Sequence, residues 1–318
     1  MTGVQTCALP IFARFLSGLR VLGPCRVLFM PDRLNLVQCA FMSLQPLEDR
    51  GSLKSGLVVE PVELKPQGTP DDTLAATRMM CKSGCNLLIT FGGDGTNRLV
   101  AMESGQVPLL PISAGTNNIF PLSCEGTRAG LVAGIFLKML NSGTDLPSGI
   151  SVNELVQQQK LLLAETDSWS ETALIDLAIS RQVSVGGRAI WDANWLKAVF
   201  VTRCAPGASG LCGIPGGVME IPPQAPHGAA AFLGNRFSVQ AVLTPGKVQS
   251  VGLEAVERMN LHQLHTMEVS EGTVLADGER VRELHNEKVR ITLHPEGPWV
   301  LDFEATLAAG LQHGYFQI

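Results

Sequence analysis

The chain has 318 residues, of which 45% are hydrophobic and 17% charged, with a net charge of −5. That length allows two ordinary domains or one large one, and that composition supports a sizeable core and argues against disorder. No Lys/Arg block stands out, which argues against a nucleic-acid stripe and a polybasic membrane patch.

The opening, MTGVQTCALPIF, lacks the basic segment and the long apolar run of a secretory signal. TGVQTCALPI resembles the translation of a sequencing-adapter oligonucleotide, so residues 1–11 are expected to be a non-native scar; a disordered native tail is the alternative. From Phe12 the pattern becomes regular. FARFLSGL reads as the end of a helix, CRVLFMP (25–31) as a short strand and DRLNLVQCAFMSL (32–44) as a helix with Asp32 as its cap. GLVVEPVEL (56–64) is β-rich. In GTPDDTLAATRMMCKSG, Thr69 caps a helix, Pro70 suits its first position, Asp71 and Asp72 face the positive end of the dipole, and Gly84 closes it. NLLITF (86–91) and VPLLPIS (107–113) are strands that run into small-residue loops, and TRAGLVAGIFLKMLNSG (127–143) is a helix. Alternating strands and helices predict a parallel α/β domain over 12–147, with ligands bound at the carboxyl ends of its strands.

A Gly/Ser/Pro/Asn-rich stretch (141–153) marks the boundary. Beyond it, KLLLAE, ALIDLAI, KAVFVTR, FSVQAVL, HTMEVS, GTVLAD, KVRITL and WVLDFEA are short strands separated by turns, which predicts a β-sandwich over 148–318. TLAAGLQHGYF is expected to form a terminal helix that returns to the first domain. The eight cysteines are scattered in apolar surroundings and read as buried thiols of a reducing cytosol, hence a cytoplasmic protein. Cys81 and Cys85 have no partner pair for a metal site, and His262 and His265 read as a surface pair rather than zinc ligands. The apolar runs are too short to span a membrane.

ITFGGDGTNRLV carries the sharpest chemical signal. Gly92 and Gly93 let backbone approach a ligand closely, and successive N–H groups before a helix starting near Thr96 form an anion site. Asp94, in the middle of this loop, suits Mg²⁺ binding or proton abstraction from a hydroxyl. The same residues also serve a tight turn with Asp94 as its hydrogen-bonding residue. PISAGTNNIFP then supplies a second loop, with Gly115, Thr116, Asn117 and Asn118 offering neutral donors and acceptors for a ribose or phosphate.

GGDGT followed by a strand and a G-T-N loop resembles the NAD kinase and diacylglycerol/sphingosine kinase superfamily. MPDR, PISAGTNNIFP, ALIDLAI, VGGRAIWD and TRCAPGASGLCGI are similar to its acetoin-catabolism protein X branch. The resemblance implies an N-terminal α/β domain, a C-terminal β-sandwich and an active site between them. It implies ATP and Mg²⁺ as cofactors, with Asp94 as the general base, Gly92, Gly93, Gly95 and Thr96 in the first nucleotide loop, and Gly115, Thr116, Asn117 and Asn118 in the second. It makes Asp277 and Glu279, in VLADGER, candidate cleft or metal residues. No metal ligand set is assigned. Its other implications are nucleotide and small-molecule partners and a homo-oligomer.

Two departures bear on function. NAD kinases carry an Asn-Glu pair on a strand of the second domain; ALIDLAI has Ile175 and Asp176 there, and an alkyl side chain can neither donate nor accept a hydrogen bond. The early strand with an N-P-x-S/K loop is missing, and Met1–Ile11 stand in its place, so a chain with that strand restored is expected to be more stable. GASGLCGIPGG (207–217) is a third Gly-rich loop where NAD kinases carry a Gly/Thr/Ser-rich one, but reads rather as a sandwich corner; Arg188, Lys197 and Arg203 could clamp a transferred phosphate, but read rather as solvated strand-end charges. Two functions follow: phosphoryl transfer from Mg-ATP to a hydroxyl, of NAD or another metabolite, or nucleotide binding without turnover in an accessory protein of acetoin catabolism.

Overall fold

The computed structural model describes residues 4–48, 56–115, 117–142, 152–183 and 192–317. Thr116, Arg188 and most of the expected boundary stretch therefore lie outside the described residues.

The first region starts with α1 (Val4–Leu19), which runs through the described part of the expected scar into the expected helix end. Next come β1 (Cys25–Phe29), α2 (Leu36–Glu48) and β2 (Leu57–Pro61). Asp32 caps as anticipated, but from further upstream. Its carboxylate accepts the Leu34 and Leu36 amides, and regular helix begins only at Leu36. Helix α3 (Pro70–Lys82) has the full reciprocal cap between Thr69 and Asp72, and Gly84 leaves it at φ +74°. Then follow β3 (Leu88–Gly92), α4 (Asp94–Ser104), β4 (Leu109–Ser113) and α5 (Gly126–Ser142).

The parallel pairing is present, but in two sets. β1 pairs with β2 from Cys25–Leu57 to Phe29–Pro61, while β3 pairs with β4 from Leu88–Leu109 to Gly92–Ser113. Both sets share one core with α1 and α5, through Phe15, Leu16, Ile112, Val132 and Phe136. The helices approach closely because both present glycines. A Cβ on Gly130 would strike the Phe15 carbonyl oxygen, and one on Gly18 the Thr127 carbonyl oxygen.

The second region contains β5 (Val156–Gln158), β6 (Leu161–Glu165), β7 (Ser170–Ala173), β8 (Asp176–Ser180), β9 (Leu196–Val201), the short α6 (Gly213–Gly216), β10 (His227–Thr244), β11 (Lys247–Asn260), β12 (His265–Ala276) and β13 (Glu279–His294). Eight of these strands form one antiparallel sheet in the order β11-β10-β9-β8-β12-β13-β6-β7. FSVQAVL is the far half of the long β10, and HTMEVS and GTVLAD are both parts of β12. Side chains alternate between two cores: Ala198 and Phe200 pack on one face, Val199 and Val201 on the other. A Cβ on Gly228 of β10 would lie 3.2 Å from the Leu293 side chain of β13, four places along the strand order, so the sheet curls over on itself.

The chain then runs back to the first region. β14 (Trp299–Leu301) pairs parallel to β4 at Val300–Leu109 and antiparallel to β5, and α7 (Phe303–Gln312) adds Phe303 and Ala309 to the first core. No described helix is long and apolar enough to cross a membrane.

Candidate active site

The site lies where β3 and β4 end against the second region. Helix α4 begins at Asp94 rather than near Thr96, so Asp94 is its first residue and not mid-loop. Gly93 precedes it and has no side chain to cap with, which leaves the first-turn amides without an intrahelical or side-chain partner. The buried Asn97 steadies this turn, accepting the Thr90 hydroxyl (2.5 Å) and donating to the Gly93 carbonyl oxygen (2.9 Å).

The two small-residue loops dock on each other. Asp94 Oδ1 accepts the Phe120 amide at 2.8 Å and the Ile119 amide at 3.1 Å; its Oδ2 also receives Ile119 at 3.1 Å. Asn118 donates to Ser113 Oγ (2.9 Å), and its amide fills the space over Gly93 and Gly115; a Cβ on Gly93 would lie 2.7 Å from Asn118 Oδ1. The Thr96 side chain likewise covers Gly92, and the Glu279 carboxyl covers Gly95. These glycines therefore make room for protein side chains. Asn117 Oδ1 is buried without a hydrogen-bond partner.

The second region brings two more carboxylates. Asp277, in the left-handed region at φ +50°, sits in the turn between β12 and β13 and accepts the amides of Leu174 (3.0 Å), Ile175 (2.7 Å) and Asp176 (3.3 Å). Asp176 Oδ1 accepts the Gly278 amide at 3.3 Å. The Ile175 side chain is fully buried in the apolar core.

Desolvation dominates the electrostatics. Burial raises the Asp94 carboxyl above its ordinary range, against the Phe120 and Ile119 amides and the Arg203 charge. Burial also pushes Asp277 up to about 7; the Leu174 amide opposes this and the Asp94 charge adds to it. Asp176 lies well above the usual carboxylate value through burial, then the charges of Asp277 and Asp94.

Two arginines lie near these acids; sequence reasoning weighed Arg203 as a phosphate clamp and missed Arg98. Arg203 was expected to be solvated. Instead it donates to Gln159 Oε1 (2.9 Å) and lies 5.7 Å from the Phe120 ring centroid, with Nε sealed and unpartnered. Arg98, one helical turn beyond Asp94 and 7% exposed, reaches Glu171, Asp277 and Glu279 at 3.7–3.8 Å, across the domain junction. Its only sequence signal is the i, i+4 relation to Asp94, which puts the two on one helix face.

The 207–217 loop carries the short α6. Cys212, within it, is fully buried, and Asp176 and Asp94 both act on its thiol, which burial pushes up. Lys197 is half-buried on β9. His262 stands edge-on to His294 at 5.1 Å, while His265 is buried against Phe200 and Phe232, so the two do not form a pair. The seven described cysteines are free. A cavity of about 400 Å³ adjoins the site, lined by Phe120, Leu122, Gln157, Gln159, Arg203 and Val300 among others; none of Gly92–Thr96 lines it.

Residues 159–296 match the acetoin catabolism protein X C-terminal domain family, and residues 36–124 match the ATP-NAD kinase N-terminal domain family. Acetoin catabolism protein X of Cupriavidus necator is 32% identical over 314 residues, covering 95% of this chain and 84% of that protein.

Proposed function

The chain belongs to the acetoin catabolism protein X family, and on that footing we propose that it transfers a phosphoryl group from ATP, accompanied by Mg²⁺, to a hydroxyl of NAD or a related metabolite. The observation that carries this reading is Asp94: a partly buried carboxylate at the first position of a helix whose leading amides have no side-chain cap among the described residues, with its charge felt by Asp176 and Asp277 of the other region.

The donor set fits a nucleotide polyphosphate. The uncapped amides of α4, at the positive end of its dipole, and the buried, partnerless Asn117 Oδ1 offer sites for phosphate and hydroxyl groups. Gly92, Gly93, Gly95, Thr96 and Gly115–Asn118 are proposed to hold the nucleotide. Among the described residues no group of three or more His, Cys, Asp or Glu is placed to hold a metal. Mg²⁺ commonly relies on phosphates, water and one or two carboxylates, which Asp94 and Asp176 supply here. When bound, the cation neutralises charge on the phosphates.

Asp94 has three amide contacts spread over two oxygens, so lone-pair capacity remains on Oδ2 for the proton of an acceptor hydroxyl. Burial makes it a stronger base than a solvated carboxylate. Catalysis would then rest mostly on positioning and charge neutralisation.

A second reading has its own support. Asp94 ties the two loops together, and Ile175 lies in the core where NAD kinases present an asparagine. Both features suit an accessory protein of acetoin catabolism that binds a nucleotide without turning it over. The experiment is to incubate the protein with Mg-ATP and NAD and follow NADP, with Asp94→Asn alongside. The kinase reading expects transfer that falls in the variant by about 10²-fold or more while nucleotide affinity stays within a few-fold. No NADP, with ATP still raising the melting temperature, removes NAD as the acceptor and leaves another hydroxyl acceptor or the accessory reading. Collapse of ATP binding in Asp94→Asn makes the residue structural or a metal ligand and removes the base assignment.

A further inference from the structure

Arg98 is an anomaly of hydrogen bonding. A guanidinium has five N–H donors, and buried ones are nearly always used. The Arg98 side chain is 7% exposed, yet it makes no hydrogen bond to the described residues, and its Nε is wholly enclosed. The three carboxylates around it stand at 3.7–3.8 Å, beyond hydrogen-bonding distance.

Two of those carboxylates are already engaged. Glu171 takes the Arg282 Nε at 2.9 Å, and Asp277 takes three backbone amides. Glu279 accepts no hydrogen bond from the described residues and is 41% exposed. Its carboxyl lies over Gly95 in the uncapped first turn of α4; a Cβ built on Gly95 would be 2.9 Å from Glu279 Cδ and 3.0 Å from Oε1. One carboxylate thus stands between an unsatisfied guanidinium and the positive end of a helix, where an anion is best stabilised. It fills that place without satisfying the donors.

We propose that Arg98 and the first-turn amides of α4 form the seat of the transferred phosphoryl group, and that the Glu279 carboxylate occupies this seat in the free protein and yields it to substrate. The identity of the anion as a phosphoryl group rests on the kinase reading; the seat itself does not. A tetrahedral phosphate presents more acceptor oxygens than a carboxylate and can span the guanidinium fork and the helix amides together. Displacing Glu279 costs little, because the residue is partly solvated and has no hydrogen bond to lose.

The test uses inorganic tripolyphosphate and titration calorimetry at fixed ionic strength, on the full chain and on Arg98→Gln and Glu279→Gln. Arg98→Gln should weaken binding by about tenfold or more, and Glu279→Gln should tighten it by about tenfold. A merely structural role for Glu279 predicts no gain, so equal or weaker binding in Glu279→Gln overturns the proposal, as does unchanged binding in Arg98→Gln. If Arg98→Gln does not fold, the direction of the Glu279→Gln change decides alone. The NADP assay, run in parallel, separates this proposal from the kinase reading. Tripolyphosphate binding that obeys both variants without NADP keeps the seat and removes NAD as the acceptor. NADP formation with binding indifferent to both keeps the kinase and removes the seat.

Discussion

Asp94, Asp176 and Asp277 sit in one buried neighbourhood, and each is pushed above its ordinary carboxylate value, by burial first. For an acid shifted upward, the folded protein holds the proton more tightly than the unfolded chain does. The stabilisation is complete below the ordinary value of 3.8 and is lost as pH rises through about 7. Urea unfolding between those limits should therefore show stability declining with pH, by a few kcal/mol in order of magnitude for Asp277. Asp277→Asn should flatten that decline; an unchanged slope would move its source to Asp176 or Asp94. Asp94 and Asp277 were legible in the sequence because each lies beside glycine in a recognisable motif. The significance of Arg98 was not, because helical spacing shows which face it shares with Asp94 but not what stands opposite.

Among the elements, the closest fit is between α1 and α5. Gly126, Gly130 and Gly134 recur every four residues on α5, and a Cβ on Gly126 or Gly130 would run into α1 backbone oxygen. Gly130→Ala should gain up to about 1 kcal/mol of helix propensity but force the helices apart at a cost of about 1–3 kcal/mol or more. The net result should be a lower denaturation midpoint, whereas Asn141→Ala, on the exposed side, should stay within about 0.5 kcal/mol of the parent. A Gly130→Ala protein as stable as the parent would mean that the crossing can loosen freely. The sequence showed α5 and only the end of α1; it did not reveal the glycine spacing as a contact, since glycine inside a helix looks locally like a defect. The long β10 and β12 were broken into pieces for the converse reason: exposed polar residues interrupt the apolar signal while the ladder of backbone hydrogen bonds continues.

At the scale of the whole molecule, the two regions are joined by the chain's own return. Val300 pairs with Leu109 of β4, and Leu301 and Phe303 are buried in the first core. A chain ending after His294 loses both β14 and α7, so it should leave the first region without a sheet neighbour and expose its apolar core. The expected result is one cooperative calorimetric transition in the full chain and loss of the folded first region in the shortened one. Two independent transitions in the full chain, with the first unaffected by shortening, would show that the return is decorative. The same architecture explains why the acids and arginines meet: Arg98 is carried by α4 and its carboxylate neighbours by β7, β13 and the turn before β13.

The sequence by itself determined the order of most elements and the change from α/β to β, and it pointed to a returning terminal helix and to the two loops of the candidate site. These are properties of local chemistry: apolar period, caps, and glycine where backbone must turn. Only the tertiary structure decided that Asn118 and Glu279 fill the space left by Gly93 and Gly95, that Asp94 binds the second loop, and that the parallel strands fall into two sets. Each of these depends on which surfaces meet across long stretches of chain. Burial then sets the acidity of the site, and no single residue's neighbours in sequence specify how much water is excluded around it.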